Sequence, residues 1–279
     1  FKQKTAYEIS LGLVGSEMCI RDRFPIAYFD REAFLAQSPQ LYKEQLIAAF
    51  EKVFEIGPFF RAEESHTNRH INEFISVDIE EAFADAKDVM RTLEELVQYV
   101  VKEVNEKCRA ELNILKQEIP VPELPLVRIT YDEALEILRK KGVEVSWGED
   151  IPTPGLRALG QELPGFYFIV DWPTATRPFY IKPYEDRPHL CESFDLMHSW
   201  IELASGGTRI HQREELEKRL VEQGLNPASF EFHLKVFEYG MPPHAGWGLG
   251  LARLLMAITG RDNIREVVLF PRDRFRLTP

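Results

Sequence analysis

At 279 residues, 44% hydrophobic and 28% charged, the chain can bury a full core and has the composition of an ordinary soluble globular domain. No apolar run approaches the ~18–20 residues that span a bilayer. Its cysteines, Cys19, Cys108 and Cys191, form no CxxC pair, so membrane, disulfide-framework and zinc-ribbon classes fall away and a reducing, cytoplasmic setting is expected. The net charge of −11 argues against a broad basic face for nucleic acid. A local exception lies near the C-terminus, where Arg253, Arg261, Arg265, Arg272, Arg274 and Arg276 gather.

In chain order, residues 1–23 stand apart. The run ISLGLVGSEMCI is as apolar as a signal-peptide core, but it has charged flanks and no small-residue cleavage site. Residues 4–23 resemble a translated sequencing-adapter read, so the segment is expected to be foreign and residues 24–279 to form one domain. Ser38-Pro39 opens a helix to about residue 49, with serine as N-cap and proline in the first turn. Residues 53–56 and 59–61 read as strands broken at Gly57-Pro58.

The stretch 59–74, FFRAEESHTNRHINEF, concentrates charge between apolar segments. Arg61 and Glu63 share one side of an extended run. Residues 63–70 are polar throughout and read as a loop, and 73–80, EFISVDIE, is apolar and β-branched again. The simplest structure is a long antiparallel hairpin, with Arg61 near the mouth on the outgoing strand and Phe74 and Asp78 on the return.

Residues 85–108 follow as a long amphipathic helix whose stripe, Val89, Leu93, Leu96, Val97, Val100 and Val104, is core. After a proline-punctuated connection at 116–125, Thr130 caps a helix that stops at Gly142. Residues 143–164 are irregular apart from a short helix near 156–162, and strand-like runs occupy 166–170, 178–181 and 191–197. Helices are expected at 211–222, from Asn226-Pro227 to Gly240, and at 249–259. Strands of one sheet with helices inserted between them and packed on its back give an α+β architecture.

Three further segments, AQSPQLYK (36–43), ELASGGTRIH (202–211) and LFPRDRFRLTP (269–279), join an F-R-x-E strand with a histidine-bearing loop and HAGWGLGLAR (244–253). An F-R-x-E strand followed far downstream by G-x-G-x-x-R resembles motifs 2 and 3 of the class II aminoacyl-tRNA synthetases. The other segments resemble the aspartyl enzymes of the archaeal and eukaryotic type, and the likeness runs in order from about residue 24 to 279. It implies a mainly antiparallel sheet flanked by helices. It also implies an anticodon-binding domain, a motif 1 helix–strand at a homodimer interface and a mobile loop, all upstream of this chain.

Activating a carboxylic acid with ATP adds negative charge to an anionic centre, so the site must supply fixed cations and in-line positioning. By the resemblance, Arg61 holds the α-phosphate and the amino-acid carboxylate, and Arg253 reaches the γ-phosphate. Phe74 stacks on adenine with Arg253 on its other face, Glu63 accepts from the adenine amine, and His70 sits near the γ-phosphate. Gly246, Gly248 and Gly250 allow close backbone approach beneath adenosine. A hairpin would converge Asp195 and Glu202 on Mg²⁺, with Ser205 assisting. Trp200 stands where a turn glycine is usual, and Ala252 replaces a usual acid.

A side-chain carboxylate calls for a guanidinium supported by an ammonium. Lys43 and Arg209 match the positions that hold the β-carboxylate of L-aspartate, Asp78 and Gln40 those that take its α-ammonium, and Ser205 and Arg61 complete the amino-acid set. Ser65, His66, Thr67, Asn68 and Arg69 are expected to meet the acceptor end of tRNA. Three rival readings remain: an asparaginyl enzyme, opposed by Lys43; a tRNA-free paralogue making asparagine; and a non-catalytic interaction module, disfavoured because both motif arginines are present.

Overall fold

The computed structural model describes residues 23–63 and 67–278. The segment expected to be foreign, apart from Arg23, and the loop residues Ser65 and His66 lie outside the described residues. A small hairpin, β1 (Pro25–Tyr28) with β2 (Arg31–Phe34), precedes helix α1 (Gln40–Ile47). Then come β3 (Lys52–Phe60), β4 (Glu73–Ala82), α2 (Ala86–Lys107), α3 (Arg109–Leu115), β5 (Val127–Thr130), α4 (Tyr131–Lys140), α5 (Thr153–Glu162) and β6 (Phe166–Val170). The chain continues through β7 (Ser193–His198), β8 (Ile201–Thr208), α6 (Arg213–Glu222), α7 (Glu231–Phe237), β9 (His244–Gly250) and α8 (Leu251–Thr259). Among the described residues no helix is long and apolar enough to cross a membrane.

Seven strands form one sheet in the order β3-β4-β9-β8-β7-β6-β5. Every pair is antiparallel except β5 with β6, so the α+β expectation holds. Alternation along β4 sends Val77 and Ile79 to one face and Ser76, Asp78 and Glu80 to the other. The first face is covered by α2, whose Val89, Leu93, Val97 and Val101 are buried in one cluster with Trp247, Leu249 and Leu196. The helix begins as its sequence dictates: the Asp85 side chain accepts from the amides of Lys87 and Asp88. The second face carries a smaller core built from Leu41 and Ile47 of α1, Leu216 and Leu220 of α6, and Leu234 and Phe237 of α7. Charged groups of β4 are caught between these two layers, which is where the site lies.

Several expectations need correction. β3 runs unbroken through Gly57-Pro58, paired with Ser76 and Ile75. It is the sheet's edge strand, so a proline can turn its missing N–H to the open side without losing a ladder bond. Residues 178–181 make a turn whose single strand contact is an isolated bridge from Ile181 to Arg209. β5 and β9 are strands that local pattern did not predict; β9 carries three glycines, which weaken strand propensity. Helix α5 begins at Thr153, earlier than expected, because Pro152 and Pro154 suit a first turn where amide hydrogens have no helical partner.

Candidate active site

A cavity of about 300 Å³ opens on the second face of the sheet, over β4, β8 and β9, within the size range of small-molecule sites. Its walls bring together Arg61, Glu63, Arg69, His70 and Phe74 from the hairpin, Gln40 and Asp78 from α1 and β4, Glu202, Ser205 and Arg209 from β8 and beyond, and Gly248, Gly250 and Arg253. Lys43 and Asp195 lie one layer behind. Thr67 and Asn68 are held within the loop: Thr67 Oγ1 lies 2.5 Å from His70 Nδ1, and the Asn68 carbonyl accepts from the Ile264 amide at 2.8 Å.

At the hairpin mouth the ladder continues beyond β3, since the Arg61 amide donates to the Asn72 carbonyl at 2.9 Å. That places the Arg61 guanidinium over the Phe74 ring, 5.1 Å from its centroid. Arg253 turns to Glu202, donating to its carbonyl at 3.1 Å and to its carboxylate at 3.2 Å. His70 stands among cations. Burial first, then Arg253 and Arg69, depress its imidazole to about 4, so the ring is neutral at physiological pH.

The β7–β8 hairpin forms without a glycine at Trp200 because Ser199 takes the left-handed conformation, with φ +50°. Trp200 is buried beneath the Arg157 guanidinium, 4.0 Å from its ring centroid. Asp195 pairs with Ser205, but a bulge follows and Met197 pairs with Glu202. Three residues apart on a regular strand, Glu202 and Ser205 would face opposite sides; the extra residue returns them to one side. Asp195 is gripped by Arg177 through two bonds of 3.1 and 2.7 Å. Burial raises its carboxyl to about 6, with Arg177 working against this and Glu202 adding to it. Arg177 had no signal in its local sequence, since Asp195 reaches it only through the fold.

The deepest part of the site is a buried ionic layer. Lys43 Nζ lies 3.0 Å from Asp78 Oδ1 and 3.4 Å from Glu80 Oε2, and donates to the carbonyls of Ile79 and Trp247. Arg209 Nε donates to Glu80 Oε1 at 2.8 Å and its Nη2 to Glu80 Oε2 at 3.3 Å, which leaves the outer edge of the fork to the cavity. The Gln40 amide bridges the two helical turns of α1 and the sheet, donating to Glu44 at 2.6 Å while its oxygen accepts from Arg209 at 3.4 Å. Ser76 donates a short bond to Asp78. Glu80 was not singled out from the sequence, although it lies two residues beyond Asp78 on the same strand face, and that alternation was the available signal.

Gly248 and Gly250 of β9 line the cavity, and the strand's glycines also serve the sheet itself. Gly248 pairs with Asp78 and Gly246 with Glu80. A Cβ at Gly248 would stand 2.8 Å from Asp78 Oδ1, and one at Gly246 would strike the Ile79 carbonyl and the Glu80 carboxylate. Their bareness lets two carboxylates fold across the neighbouring strand. Gly250 meets nothing closer than 3.7 Å.

Five guanidiniums in one cleft, those of Arg61, Arg69, Arg177, Arg209 and Arg253, on an antiparallel sheet carrying an F-R-x-E hairpin and a glycine-rich strand that runs into an arginine-bearing helix, match a known family. The model for tRNA synthetases class II (D, K and N) covers residues 19–274. The chain belongs to this family. An Aspartate--tRNA(Asp/Asn) ligase of Archaeoglobus fulgidus is 59% identical over 257 residues, 92% of this chain and 60% of that protein. One from Methanothermobacter thermautotrophicus is 54% identical over 92% of this chain and 59% of its own length. The class II chain therefore spans about 60% of the length of the curated relatives it matches. Among solved structures, asparaginyl-tRNA synthetase from Pyrococcus horikoshii complexed with asparaginyl-adenylate superposes with a TM-score of 0.92 at 36% identity, over 96% of this chain and 62% of that one. Aspartyl tRNA synthetase from Entamoeba histolytica gives 0.82 at 40% identity, over 88% and 53%.

Proposed function

We propose that this class II chain is the catalytic domain of an aspartate–tRNA ligase. It joins ATP and L-aspartate as aspartyl-adenylate, releasing pyrophosphate, and passes aspartate to the 3′ end of tRNA. The reading is carried by one observation: Arg61, Arg253 and Arg209 meet in a single cleft with Lys43 fastened to its wall. That arrangement supplies two cations for a triphosphate and two for an additional carboxylate.

In this reading the aspartate α-carboxylate attacks the α-phosphate in line, with Arg61 neutralising the charge that builds there. Adenine takes the place over Phe74 that Arg61 now occupies, with Glu63 accepting from its amine. Arg253 and His70 meet the γ-phosphate. Asp78 and Gln40 accept from the α-ammonium, and the β-carboxylate docks on the open edge of Arg209, supported by Lys43. Asp195, Glu202 and Ser205 offer hard oxygen donors on one side of the bulged hairpin and would hold Mg²⁺ there, which would supply positive charge to shield the phosphates. Among the described residues there is no cluster of three or more His, Cys, Asp or Glu that would hold a metal unaided. The described loop residues 67–69 would meet the tRNA acceptor end, and a homodimeric, cytoplasmic parent belongs to the same reading.

The likeness to asparaginyl structures favours a second reading, activation of asparagine, against which the buried Lys43 stands: an amide would leave that wall with no anion to receive. Pyrophosphate exchange measured with each amino acid decides between them, and exchange with aspartate is expected. Exchange with asparagine alone overturns the proposal, and ammonia-dependent asparagine formation without tRNA would favour the paralogue. Charging assays with aspartate and asparagine tRNAs test whether the activity extends to both. Lys43→Leu should raise the aspartate KM by about a hundredfold, as truncation of one member of a buried charge pair costs about 2–5 kcal/mol. The ATP KM should stay nearly constant; equal losses for both substrates would remove Lys43 from its role.

A further inference from the structure

Behind the amino-acid pocket lies a buried set of groups that the reaction scheme leaves unused: Glu44 on α1, His233 on α7 and His244 at the start of β9, all fully buried. We propose that His244, resting on the aspartate reading above, is a specificity-determining residue: its imidazolium cancels the charge of Glu44 and so keeps the pocket wall free of net negative charge, which admits a ligand bearing a side-chain carboxylate.

The protonation state follows from geometry. His244 Nδ1 lies 2.8 Å from the Pro242 carbonyl oxygen, which only accepts, so Nδ1 carries a hydrogen. Nε2 lies 3.7 Å from Glu44 Oε2. A neutral ring already protonated at Nδ1 would aim a lone pair at that carboxylate, and a second proton turns the repulsion into attraction. Burial lowers the ring's affinity for a proton, but Glu44 outweighs it and the net direction is upward. His233 is placed differently. Its Nε2 is 3.3 Å from the same Glu44 oxygen, its ring packs edge-on against Phe237, and its Nδ1 has no partner, so no acceptor fixes a hydrogen there as Pro242 does for His244.

The charges facing His244 then balance. From α1 and β4 come the anions Glu44, Asp78 and Glu80; against them stand Lys43, Arg209 and His244, with Lys182 and His211 as more distant basic neighbours. Lys43 and Arg209 are already committed to Asp78 and Glu80. Without the proton on His244, Glu44 is left uncompensated one residue layer from the ligand, with Gln40 bonded to both Glu44 and Arg209. His244 is also joined to Arg209 directly, since its carbonyl accepts from the Arg209 amide at 2.8 Å.

Titration calorimetry over a pH series tests the idea. In the wild-type chain the aspartate Kd should rise about tenfold as pH climbs through the His244 titration, the scale of one partly screened buried charge, while the ATP Kd stays flat. His244→Asn keeps an N–H for Pro242 and removes the charge, so it should bind aspartate about tenfold more weakly at low pH and lose the pH step. His233→Asn should retain the step. A step that persists in His244→Asn, or unchanged aspartate affinity, overturns the inference. Should the variant fail to fold, ¹⁵N shifts of the wild-type rings decide: a singly protonated His244 at neutral pH overturns it outright. A wild-type chain that binds and exchanges no aspartate would sink the functional reading and the inference together, whereas aspartate exchange with a neutral His244 ring sinks the inference alone.

Discussion

Guanidinium groups in this cleft do not wait unpaired for a substrate. Arg61 lies over Phe74, Arg253 on Glu202, Arg177 on Asp195 and Arg209 on Glu80. Each cation is thus held near its place by a partner that solvent alone would not supply, and a triphosphate must exchange with some of these contacts. His70 reports on that exchange. Its imidazole sits near 4 because burial and the surrounding arginines oppose a proton. A bound triphosphate would cancel those positive charges, so the pKa should move upward on adding ATP. Ring-shift titration of His70 with and without ATP measures it, and an unmoved value would take the γ-phosphate away from this residue. The residues found from sequence were those with a chemical signature in a short window, such as Arg61, Glu63 and Arg253. Glu80, Glu44 and Arg177 were missed because a lone acid or arginine has no signature until its partner is known.

Strand β9 shows how an element can be shaped by its neighbour. Besides the cavity that Gly248 and Gly250 line, Gly246 and Gly248 lie across from Glu80 and Asp78 and give those side chains room. Gly246→Ala would press a methyl group on the Ile79 carbonyl, which as backbone cannot swing away. The substitution should cost about 1–3 kcal/mol of stability and weaken aspartate binding with it. Thermal melting and the aspartate KM check both; a variant of wild-type stability would show that the two strands separate easily. Helices α2 and α4 were legible because period and capping boxes are local. The hairpin of β7 and β8 was legible only as a hairpin: the bulge that carries Glu202 to the side of Asp195 depends on pairing.

For the whole molecule, the C-terminal segment acts as a clasp on the motif 2 loop. Arg265 bonds Asp273 at 2.6 Å and the carbonyls of Thr67 and His70 at 2.9 and 3.3 Å, and the Asn72 amide donates to the Arg272 carbonyl at 2.7 Å. Arg265→Ala should speed hydrogen exchange at residues 67–72 and leave α2 unaffected. Equal exchange at residues 67–72 in wild type and variant would mean the loop holds itself. The clasp also has a pH signature. Burial would raise the Asp273 carboxyl, but Arg265 and the amides of Phe275 and Arg276 hold it below its usual value. An acid depressed by folding contributes stability that is complete above its unfolded pKa and disappears as pH falls through the folded one. The wild-type loop should therefore loosen only in acid, while Arg265→Ala is loose throughout. Basic residues near the C-terminus, which composition marked as a local basic exception, are in part spent inside the fold.

Taken alone, the amino-acid order determined the α+β class, the main helices, the family and most of the charged residues that line the cleft, because those depend on period, capping and short motifs within a window of a few residues. Tertiary structure decided which charges neutralise which: Lys43 with Asp78 and Glu80, Arg209 with Glu80, Arg177 with Asp195, His244 with Glu44. Coulomb pairing depends on distance in space, and partners 18 to 200 positions apart along the chain, as Arg177 is from Asp195 and His244 from Glu44, meet only when the sheet has formed.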